Sequence, residues 1–484
     1  MSFRSAATSR SLDIQPVLIV LGAVLLALVL GLLIGFLPWV FVLGLILLPI
    51  VALASIANPI IGLVFALALI FEVIPGGLQP RLPFGGGKLQ IYDILFIYLA
   101  IVLLIRALAN RLQPLRTLGA FRWPLYYLAA CVIFSLVYVR FFAPNRMALA
   151  ETRAFVPWLI VPIIALGVNS TKRVESLVRG FALIGLLIAL FVTLQSTFDI
   201  RIMTGARVEA LDATVNSDIV RSIAGGGIYV VIFTLYLLLN RLVERRISWL
   251  WALPACGLLV AGLAVQFGRG VWIASALGLL ISAALLRGAS GMLKVALVGT
   301  LTIALMFSAA AMFKPRLAQA LMGRMTGIGA EIEHGGSFNW RFLENRAALI
   351  QIEKYPLTGV GIGGEYKQTV SSVGNFLNET TYIHNGYLYF PLKMGLAASF
   401  VPFVFILAFV VTARRAMRKL PAEADPGLVA ALGGAFSVPV ITYFTQPEWV
   451  SPQGISALAV LMGIVLLVSR GQVLHRVLPA QVAR

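Results

Sequence analysis

The stretch GGSFNWRFLENRAALIQIEKYPLTGVGIGGEYKQTVSSVGNFLNETTYIHNGYLYFPLKMGL, residues Gly335–Leu396, is the one long polar segment in a chain that is otherwise almost continuously apolar. It lies between two apolar runs that are each long enough to cross a bilayer. Its pattern predicts a soluble helix from about Trp340 to Lys354, a stop at Tyr355-Pro356, a glycine-rich turn, and a new span beginning after His384-Asn385. Functional residues are therefore expected here and on the short loops that face the same side.

Composition defines the class of protein. Hydrophobic residues make up 60% of the 484-residue chain and charged residues 12%, and the mean hydropathy is +0.95. These values predict an all-α, polytopic integral membrane protein. The formal net charge is +19, but Lys and Arg occur in small clusters between apolar runs, which fits membrane orientation and argues against nucleic-acid binding. Cys131 and Cys256 lie within apolar runs, so neither a disulfide nor a zinc site is expected.

The apolar runs predict about fourteen transmembrane helices. They lie near residues 17–36, 38–56, 59–74, 94–109, 123–139, 155–168, 178–197, 223–240, 249–267, 270–286, 293–313, 386–411, 428–445 and 455–469. The first run lacks a clear cleavage site and leads at once into a second, so it is interpreted as an uncleaved anchor. The simplest organisation is a single transmembrane domain, residues 1–484, with one large helix-containing loop, residues 314–385, inserted between two spans.

The charge distribution predicts the orientation. With the N-terminus in the cytoplasm, the cytoplasmic side carries 21 Lys and Arg against 5 Asp and Glu, and the opposite side carries 17 against 14. Basic residues concentrate on the cytoplasmic side of membrane proteins. Both termini are therefore expected in the cytoplasm, and residues 314–385 on the outer side.

Several motifs in the second half of the chain carry a family resemblance. They are Trp340-Arg341, Tyr355-Pro356-Leu357, Gly359-Val360-Gly361-Ile362-Gly363, His384-Asn385 with Tyr387-Leu388 and Gly395, and the earlier Phe267-Gly268-Arg269-Gly270-Val271-Trp272. Together they resemble the signature region of the O-antigen ligase and polymerase family. Gly268 stands where that family usually has Ser, and the first half of the chain resembles the family only in its pattern of spans.

The resemblance implies a metal-independent, cofactor-free glycosyltransferase with a GT-C-like membrane fold in the bacterial inner membrane. Such enzymes act at the periplasmic face and move an oligosaccharide from an undecaprenyl diphosphate carrier to an acceptor. The acceptor is lipid A core in a ligase and another lipid-linked glycan in a polymerase, and chain length and span number favour the polymerase slightly. Membrane lipids and a chain-length regulator are further expected partners.

The resemblance also assigns roles to residues. His384, Arg269 and Arg221 take the catalytic positions, and Arg341 is a substrate-binding candidate. Independently of the resemblance, Arg140, Arg146 and Arg153 are expected to form an outer basic patch for anionic headgroups or for the carrier diphosphate. The neighbours of His384, Tyr382 and Asn385, complete the substrate-binding candidates.

Elementary chemistry agrees with these roles. A diphosphate leaving group gains negative charge as the sugar departs, so a site must supply a metal ion or fixed cations. The outer loops contain no Asp-x-Asp pair or His cluster. Arginine is therefore the expected cation, because its planar fork donates two hydrogen bonds to a phosphate and stays charged near lipid. Arg269 lies in a hairpin so short that it is expected at or below the membrane surface, where an arginine is costly without a function.

Each candidate also has a purely structural interpretation. Arg269 can snorkel to lipid headgroups, Arg221 can anchor the start of a span, and His384 can belong to a helix cap. The glycines at 359–364 favour a tight turn over a phosphate-binding loop, since no Gly-Lys-Ser/Thr follows them. Arg341 and Arg346 are expected to pair with Glu344 or Glu353 across a solvated helix face.

Two other functions remain open at this point. A flippase or transporter for lipid-linked oligosaccharides would also be a many-span protein with basic loops. Ion-coupled transporters place ionisable residues at mid-membrane, whereas Glu72 and Lys393 lie near the ends of predicted spans. A purely structural scaffold leaves Arg269 and the long polar segment unexplained.

The orientation can be tested with reporter fusions. A reporter that requires the periplasm should be active when fused after Thr369 and inactive when fused after Leu420, because the charge asymmetry places these positions on opposite sides. Reporter activity is compared at equal fusion-protein levels. The opposite pattern would contradict every site assignment made above.

Overall fold

The computed structural model describes residues 39–84, 87–111, 113–198, 200, 202–203, 207–212, 216–326, 337–367, 380–420 and 425–472. The chain divides into two compact units, Met1–Ala52 and Leu53–Arg484. Of the first unit only residues 39–52 are described, and they belong to a helix. All the contacts discussed below lie within the second unit.

Helices make up most of the described chain. The α-helices are α1 Trp39–Ala57, α2 Pro59–Ile70, α3 Ile91–Ala109, α4 Arg122–Phe141, α5 Ala148–Thr152, α6 Ile160–Gly167, α7 Thr171–Phe198, α8 Gly227–Val243, α9 Trp249–Ala264, α10 Arg269–Phe313, α11 Pro315–Thr326, α12 Ser337–Lys354, α13 Gly386–Met394, α14 Val401–Arg418, α15 Pro426–Thr442 and α16 Pro452–Ser469. Short 3-10 helices lie at Gly76–Leu78, Arg116–Phe121, Arg153–Leu159 and Leu396–Phe400.

The helical membrane architecture predicted from the sequence is confirmed. Among the described residues, seven helices are long and apolar enough to cross a bilayer, and six shorter apolar helices accompany them. The predicted first span, residues 17–36, lies outside the described residues. The number of fourteen spans therefore stays a prediction.

Two predicted spans, 270–286 and 293–313, fall within the one helical element α10. Gly288 nevertheless has a φ of 61°, which a right-handed helix does not contain. A Cβ at Gly299 would lie 3.5 Å from Leu279 Cδ2, whereas residues 20 apart on a straight helix are separated by about 30 Å. Element α10 therefore consists of two helical arms that pack against each other, with the reversal near Gly288.

The predicted span 386–411 is wrong at its start. Helix α13 ends at Met394, and Gly395 adopts a φ of 86° before the chain continues into Leu396–Arg418, which is long and apolar enough to cross a bilayer. The Leu396 N–H donates to the Pro356 carbonyl at 2.8 Å. The break thus packs against the stop that ends the soluble helix, a long-range contact that hydropathy does not encode.

Two small hairpins were not predicted. Strand β1 (Arg81–Phe84) pairs antiparallel with β2 (Gly87–Gln90), and β3 (Arg207–Asp212) pairs antiparallel with β4 (Asn216–Ile223). Strands of four to eight residues within short polar connections give little periodic signal. The second hairpin carries Arg221, one of the predicted catalytic residues.

The core is built around two helices that are buried on nearly every side. Nearly all residues of α16 are buried, and α8 is buried along most of its length. Leu458 and Met462 of α16 are completely buried.

Loops predicted for the same side of the membrane contact one another. On the predicted outer side, the Gln453 amide donates to the Ile70 carbonyl at 3.0 Å. On the predicted cytoplasmic side, Arg241 Nε lies 2.9 Å from Asp425 Oδ2, and the Arg470 guanidinium donates to the Ala165 carbonyl at 3.0 Å.

The glycine-rich segment forms the predicted tight turn. Gly359, Gly361 and Gly363 have φ values of 62°, 84° and 76°, a region that L side chains enter only with strain. Ser135 fixes the turn to α4: its hydroxyl accepts from the Ile362 N–H at 3.0 Å and donates to the Lys393 carbonyl at 3.1 Å.

Replacing Gly361 tests this turn. A Cβ there would lie 2.6 Å from Val139 Cγ2 at a positive φ, so Gly361→Ala should lower the free energy of unfolding by about 1–3 kcal/mol. The matched control is Gly257→Ala within α9, because a Cβ there would meet no atom within 4 Å. Thermal unfolding of both variants in the same detergent gives the comparison, and equal midpoints would contradict the prediction.

Candidate functional site

The chain beside each of the two main candidates, His384 and Arg269, lies against one loop, residues 443–451. The Gly386 N–H, at the start of α13, donates to the Tyr443 carbonyl at 2.8 Å. A Cβ at Gly270, at the start of α10, would lie 3.6 Å from the Thr445 hydroxyl. Gly386 follows His384 by two residues and Gly270 follows Arg269 by one. The structure therefore brings the His384 segment and the Arg269 segment to the same loop.

The His384 side chain is held by an acidic residue of the soluble helix. Its Nδ1 lies 2.8 Å from Glu344 Oε2, and its backbone N–H donates to the same oxygen at 3.2 Å. The Tyr382 ring meets the imidazole edge to face, with 4.9 Å between the ring centres. Of the His384 side chain, 17% is exposed. His384 is thus fixed in orientation and still reachable.

Glu344 is the residue of the candidate site that sequence reasoning missed. It lies on α12 and is buried, and Lys367 Nζ donates to its Oε1 at 2.5 Å. Burial raises the pKa of this carboxyl, but hydrogen bonds from His384 and Lys367 and the electrostatic interactions of these residues outweigh burial and lower the pKa below its ordinary value. The predicted solvated face is therefore wrong at Glu344, because the chain after the glycine turn folds over this part of α12.

Tyr366 joins the chain before residue 368 to the chain that leads to His384. Its hydroxyl donates to the Tyr382 carbonyl at 2.8 Å, and its backbone N–H donates to the Thr380 carbonyl at 3.1 Å. The chain that leaves at Lys367 and the chain that returns at Thr380 are thereby held side by side.

Asn385 has a clear structural task. Its side-chain oxygen accepts from the Tyr387 N–H at 3.1 Å and caps α13, as expected of an asparagine at a helix N-terminus. This is the capping interaction weighed for the His384-Asn385 pair, and the residue that provides it is Asn385.

The two arginines with predicted catalytic roles meet at the connection between α9 and α10. Arg269 is the first residue of α10 and is half-buried, and only residues 265–268 separate it from α9, as predicted. Arg221 Nε donates to the Gln266 carbonyl within that connection at 2.7 Å. Strand β4 therefore holds Arg221 beside the hairpin that presents Arg269.

The remaining basic candidates differ in burial and in their partners. Arg153 Nε lies 3.5 Å from Asp93 Oδ2, and the Asp93 carboxylate is completely buried, so this arginine already balances a negative charge. Arg140 and Arg146 are exposed. Arg341 is half-buried on α12, one turn before Glu344.

A buried ion pair positions the glycine turn. Lys393 is completely buried on α13, where its ammonium donates to the Gly364 carbonyl at 2.5 Å and lies 3.7 Å from Glu151 Oε2. The Tyr389 hydroxyl donates to the other oxygen of Glu151 at 2.6 Å. A lysine within an apolar run was the available signal for this pair.

The loop 443–451 contains a buried acid. Glu448 Oε2 accepts from the Ser451 hydroxyl at 2.8 Å, and the same hydroxyl caps α16 by accepting from the Gly454 N–H at 3.0 Å. Burial raises the pKa of Glu448 to about 7, although the Ser451 hydrogen bond lowers it.

An apolar cavity of about 370 Å³ lies between α8, α9 and the folded-back helix α10. Trp272, Leu279 and Gly299 of α10 are among its lining residues. Trp272 follows Arg269 by three residues, so the cavity begins about one helical turn from the arginine.

Among the residues that the structure describes, no group of three or more His, Cys, Asp or Glu side chains is arranged to hold a metal ion. The charges near the candidate site come instead from arginine, lysine and the carboxylate of Glu344.

Comparison with known proteins supports the sequence interpretation. Residues 254–403 match the family model Wzy_C, described as O-Antigen ligase, so the predicted resemblance is confirmed over this segment. No curated protein matches the chain. A chain from a solved structure entitled "Structural coordination of polymerization and crosslinking by a peptidoglycan synthase complex" is 18% identical, with a TM-score of 0.38, over 72% of this chain and 97% of that chain. That likeness is too distant to carry an argument.

Variants of Asn385 separate capping from substrate binding. Asn385→Ala should destabilise the protein by about 1 kcal/mol, and Asn385→Asp should not, because aspartate caps helices equally well. Thermal unfolding measures both variants. Equal stability of the alanine variant and the wild type would contradict the capping role and favour a direct contact with substrate.

Proposed function

We propose that this chain is a membrane glycosyltransferase that transfers or polymerises an oligosaccharide carried on undecaprenyl diphosphate. One observation carries the proposal. His384 and Arg269 both lie within residues 254–403, which match the O-antigen ligase model, and the chain beside each of them lies against the loop 443–451. A proton acceptor and a cation for a diphosphate are the two groups that such a reaction needs.

The reaction joins an acceptor hydroxyl to the anomeric carbon of the donor. The hydroxyl oxygen forms the new bond to carbon, the bond from carbon to the carrier diphosphate breaks, and that bonding pair leaves with the diphosphate. His384 is the proposed general base that takes the hydroxyl proton, because imidazole suits proton removal near neutral pH. Anchoring of the acceptor or the diphosphate is its fallback role.

Arg269 is the proposed partner of the leaving diphosphate. It stands at the N-terminal end of α10, where the helix dipole also favours negative charge. Arg221, attached to the same hairpin, is the second candidate. No metal or cofactor is required by this arrangement, since fixed guanidinium groups can stabilise the charge that develops.

The apolar cavity beside Trp272 suits the hydrocarbon chain of the carrier. Arg269 lies about one turn above its lining on the same helix. A lipid diphosphate placed with its charged group at Arg269 and its tail in this cavity would present the sugar toward the outer loops.

The finer features of the proposal follow from the sequence. The polymerase is slightly preferred over the ligase that uses lipid A core, and a chain-length regulator is a possible partner of a polymerase. The enzyme is placed in the bacterial inner membrane with about fourteen spans, both termini cytoplasmic and the site periplasmic, as the charge asymmetry predicts. The flippase alternative gains no support from the family match.

Transfer by the purified protein tests the proposal. With a lipid diphosphate-linked oligosaccharide as donor and excess chelator present, the wild type should turn over. His384→Gln should lose about 10²–10⁴ in rate, because glutamine can donate and accept hydrogen bonds but cannot serve as a base. Arg269→Lys should lose about tenfold to a hundredfold, because a bidentate fork becomes a single-point donor.

The control is Arg179→Lys, an exposed arginine paired with Glu175 on α7, which should keep the wild-type rate. More than about a tenth of wild-type turnover in His384→Gln would remove the base assignment. Wild-type turnover in Arg269→Lys would return Arg269 to the snorkelling interpretation, and restoration of a chelated enzyme by magnesium or manganese would contradict metal independence.

A further inference from the structure

The Glu344 carboxylate makes an asymmetric set of contacts. One oxygen, Oε2, accepts hydrogen bonds from the imidazole Nδ1 and from the backbone N–H of His384, at 2.8 Å and 3.2 Å. The other oxygen, Oε1, accepts a hydrogen bond from Lys367 Nζ at 2.5 Å. Because the ring and the main chain of His384 meet the same oxygen, the imidazole is constrained relative to its own backbone.

These contacts determine the protonation pattern of the ring. An ionised carboxylate only accepts hydrogen bonds, so the imidazole nitrogen that faces it must carry the hydrogen. In a neutral imidazole with hydrogen on Nδ1, the lone pair that can take a proton is on Nε2. Lys367 donates to the other oxygen of Glu344, and its positive charge favours the ionised carboxylate whatever the charge of the ring.

Lys367 balances the charge that this arrangement requires. Only 1% of the Glu344 side chain and 8% of the Lys367 side chain are exposed. An unpaired carboxylate at such a depth would be strongly disfavoured, whereas the ion pair is nearly neutral as a unit. The carboxylate can therefore remain ionised beside His384 while the imidazole is neutral.

We propose that Glu344 is the positioning residue of this site: it holds His384 as the Nδ1–H tautomer and directs Nε2 to the acceptor hydroxyl. The inference rests on the proposed function. In the reaction, the hydroxyl proton moves to Nε2 while the oxygen bonds to the anomeric carbon and the diphosphate departs with its electron pair. Glu344 then stabilises the imidazolium through the Nδ1–H hydrogen bond, and the Nε2 proton passes to water to restore the neutral ring.

A merely structural role would predict different behaviour. If Glu344 only ties α12 to the chain before α13, its loss should change stability but not the tautomer of His384. A positioning role predicts a change in the tautomer and in kcat, with a smaller effect on KM, since the defect lies in the chemical step.

The tautomer can be measured directly because the chain contains three histidines. Purified protein labelled with ¹⁵N-histidine is studied by NMR in detergent, and the His384 signals are those that vanish in His384→Gln. The wild type should show hydrogen on Nδ1. Glu344→Gln should gain the Nε2–H form, because an amide can donate to Nδ1, and should lose about a hundredfold or more in kcat. Glu344→Asp retains the carboxylate and should recover part of both signatures.

The outcomes separate the two proposals. If Glu344→Gln changes the tautomer but transfer by both Glu344→Gln and His384→Gln equals the wild type, the base assignment fails and the structural arrangement stands. If His384→Gln is inactive while Glu344→Gln keeps the wild-type rate and tautomer, the positioning role fails. An Nε2–H tautomer in the wild type overturns the inference even when no Glu344 variant folds.

Discussion

The outer part of the structure depends on the contacts of one fully buried ammonium group, that of Lys393. It links three separate parts of the chain: helix α13 that carries it, the glycine turn through the Gly364 carbonyl, and α5 through Glu151. Removing one partner of a buried ion pair typically costs about 3–5 kcal/mol because the other charge is left uncompensated. The pair therefore favours one arrangement of these elements over the others that hydrophobic packing alone would permit.

This arrangement places the candidate residues. The glycine turn follows the end of α12 and directs the chain back over that helix, so Lys367 reaches Glu344. Glu344 in turn reaches His384, which immediately precedes the cap of α13. The contacts of Lys393 with Gly364 and Glu151 thus hold the helices and the glycine turn together. The carboxylate of Glu344 then orients the imidazole of His384.

Much of the fold could be predicted from the sequence because membrane spans are local. Long apolar runs, a helix stop at Tyr355-Pro356 and a glycine turn all depend on neighbouring residues. The burial of Glu344 could not be predicted, because it arises from a contact with Lys367, 23 residues away, and the polar face of α12 looks solvated in isolation. For the same reason the sequence does not reveal that Arg153 pairs with Asp93, which lies on a different helix. Local patterns predict elements, and pairings between distant charges require the fold.

The two hydrogen bonds of Tyr366 connect the chain before residue 368 to the chain after residue 379. The chain that departs after Lys367 and the chain that returns at Thr380 are joined at their base by the Tyr366 contacts to Thr380 and Tyr382. Lys367 pairs with Glu344, and the Tyr382 ring meets the His384 imidazole. One tyrosine thus sets the spacing between a partner of the carboxylate and a partner of the imidazole, so the two sides of the Glu344–His384 contact are aligned before that contact forms.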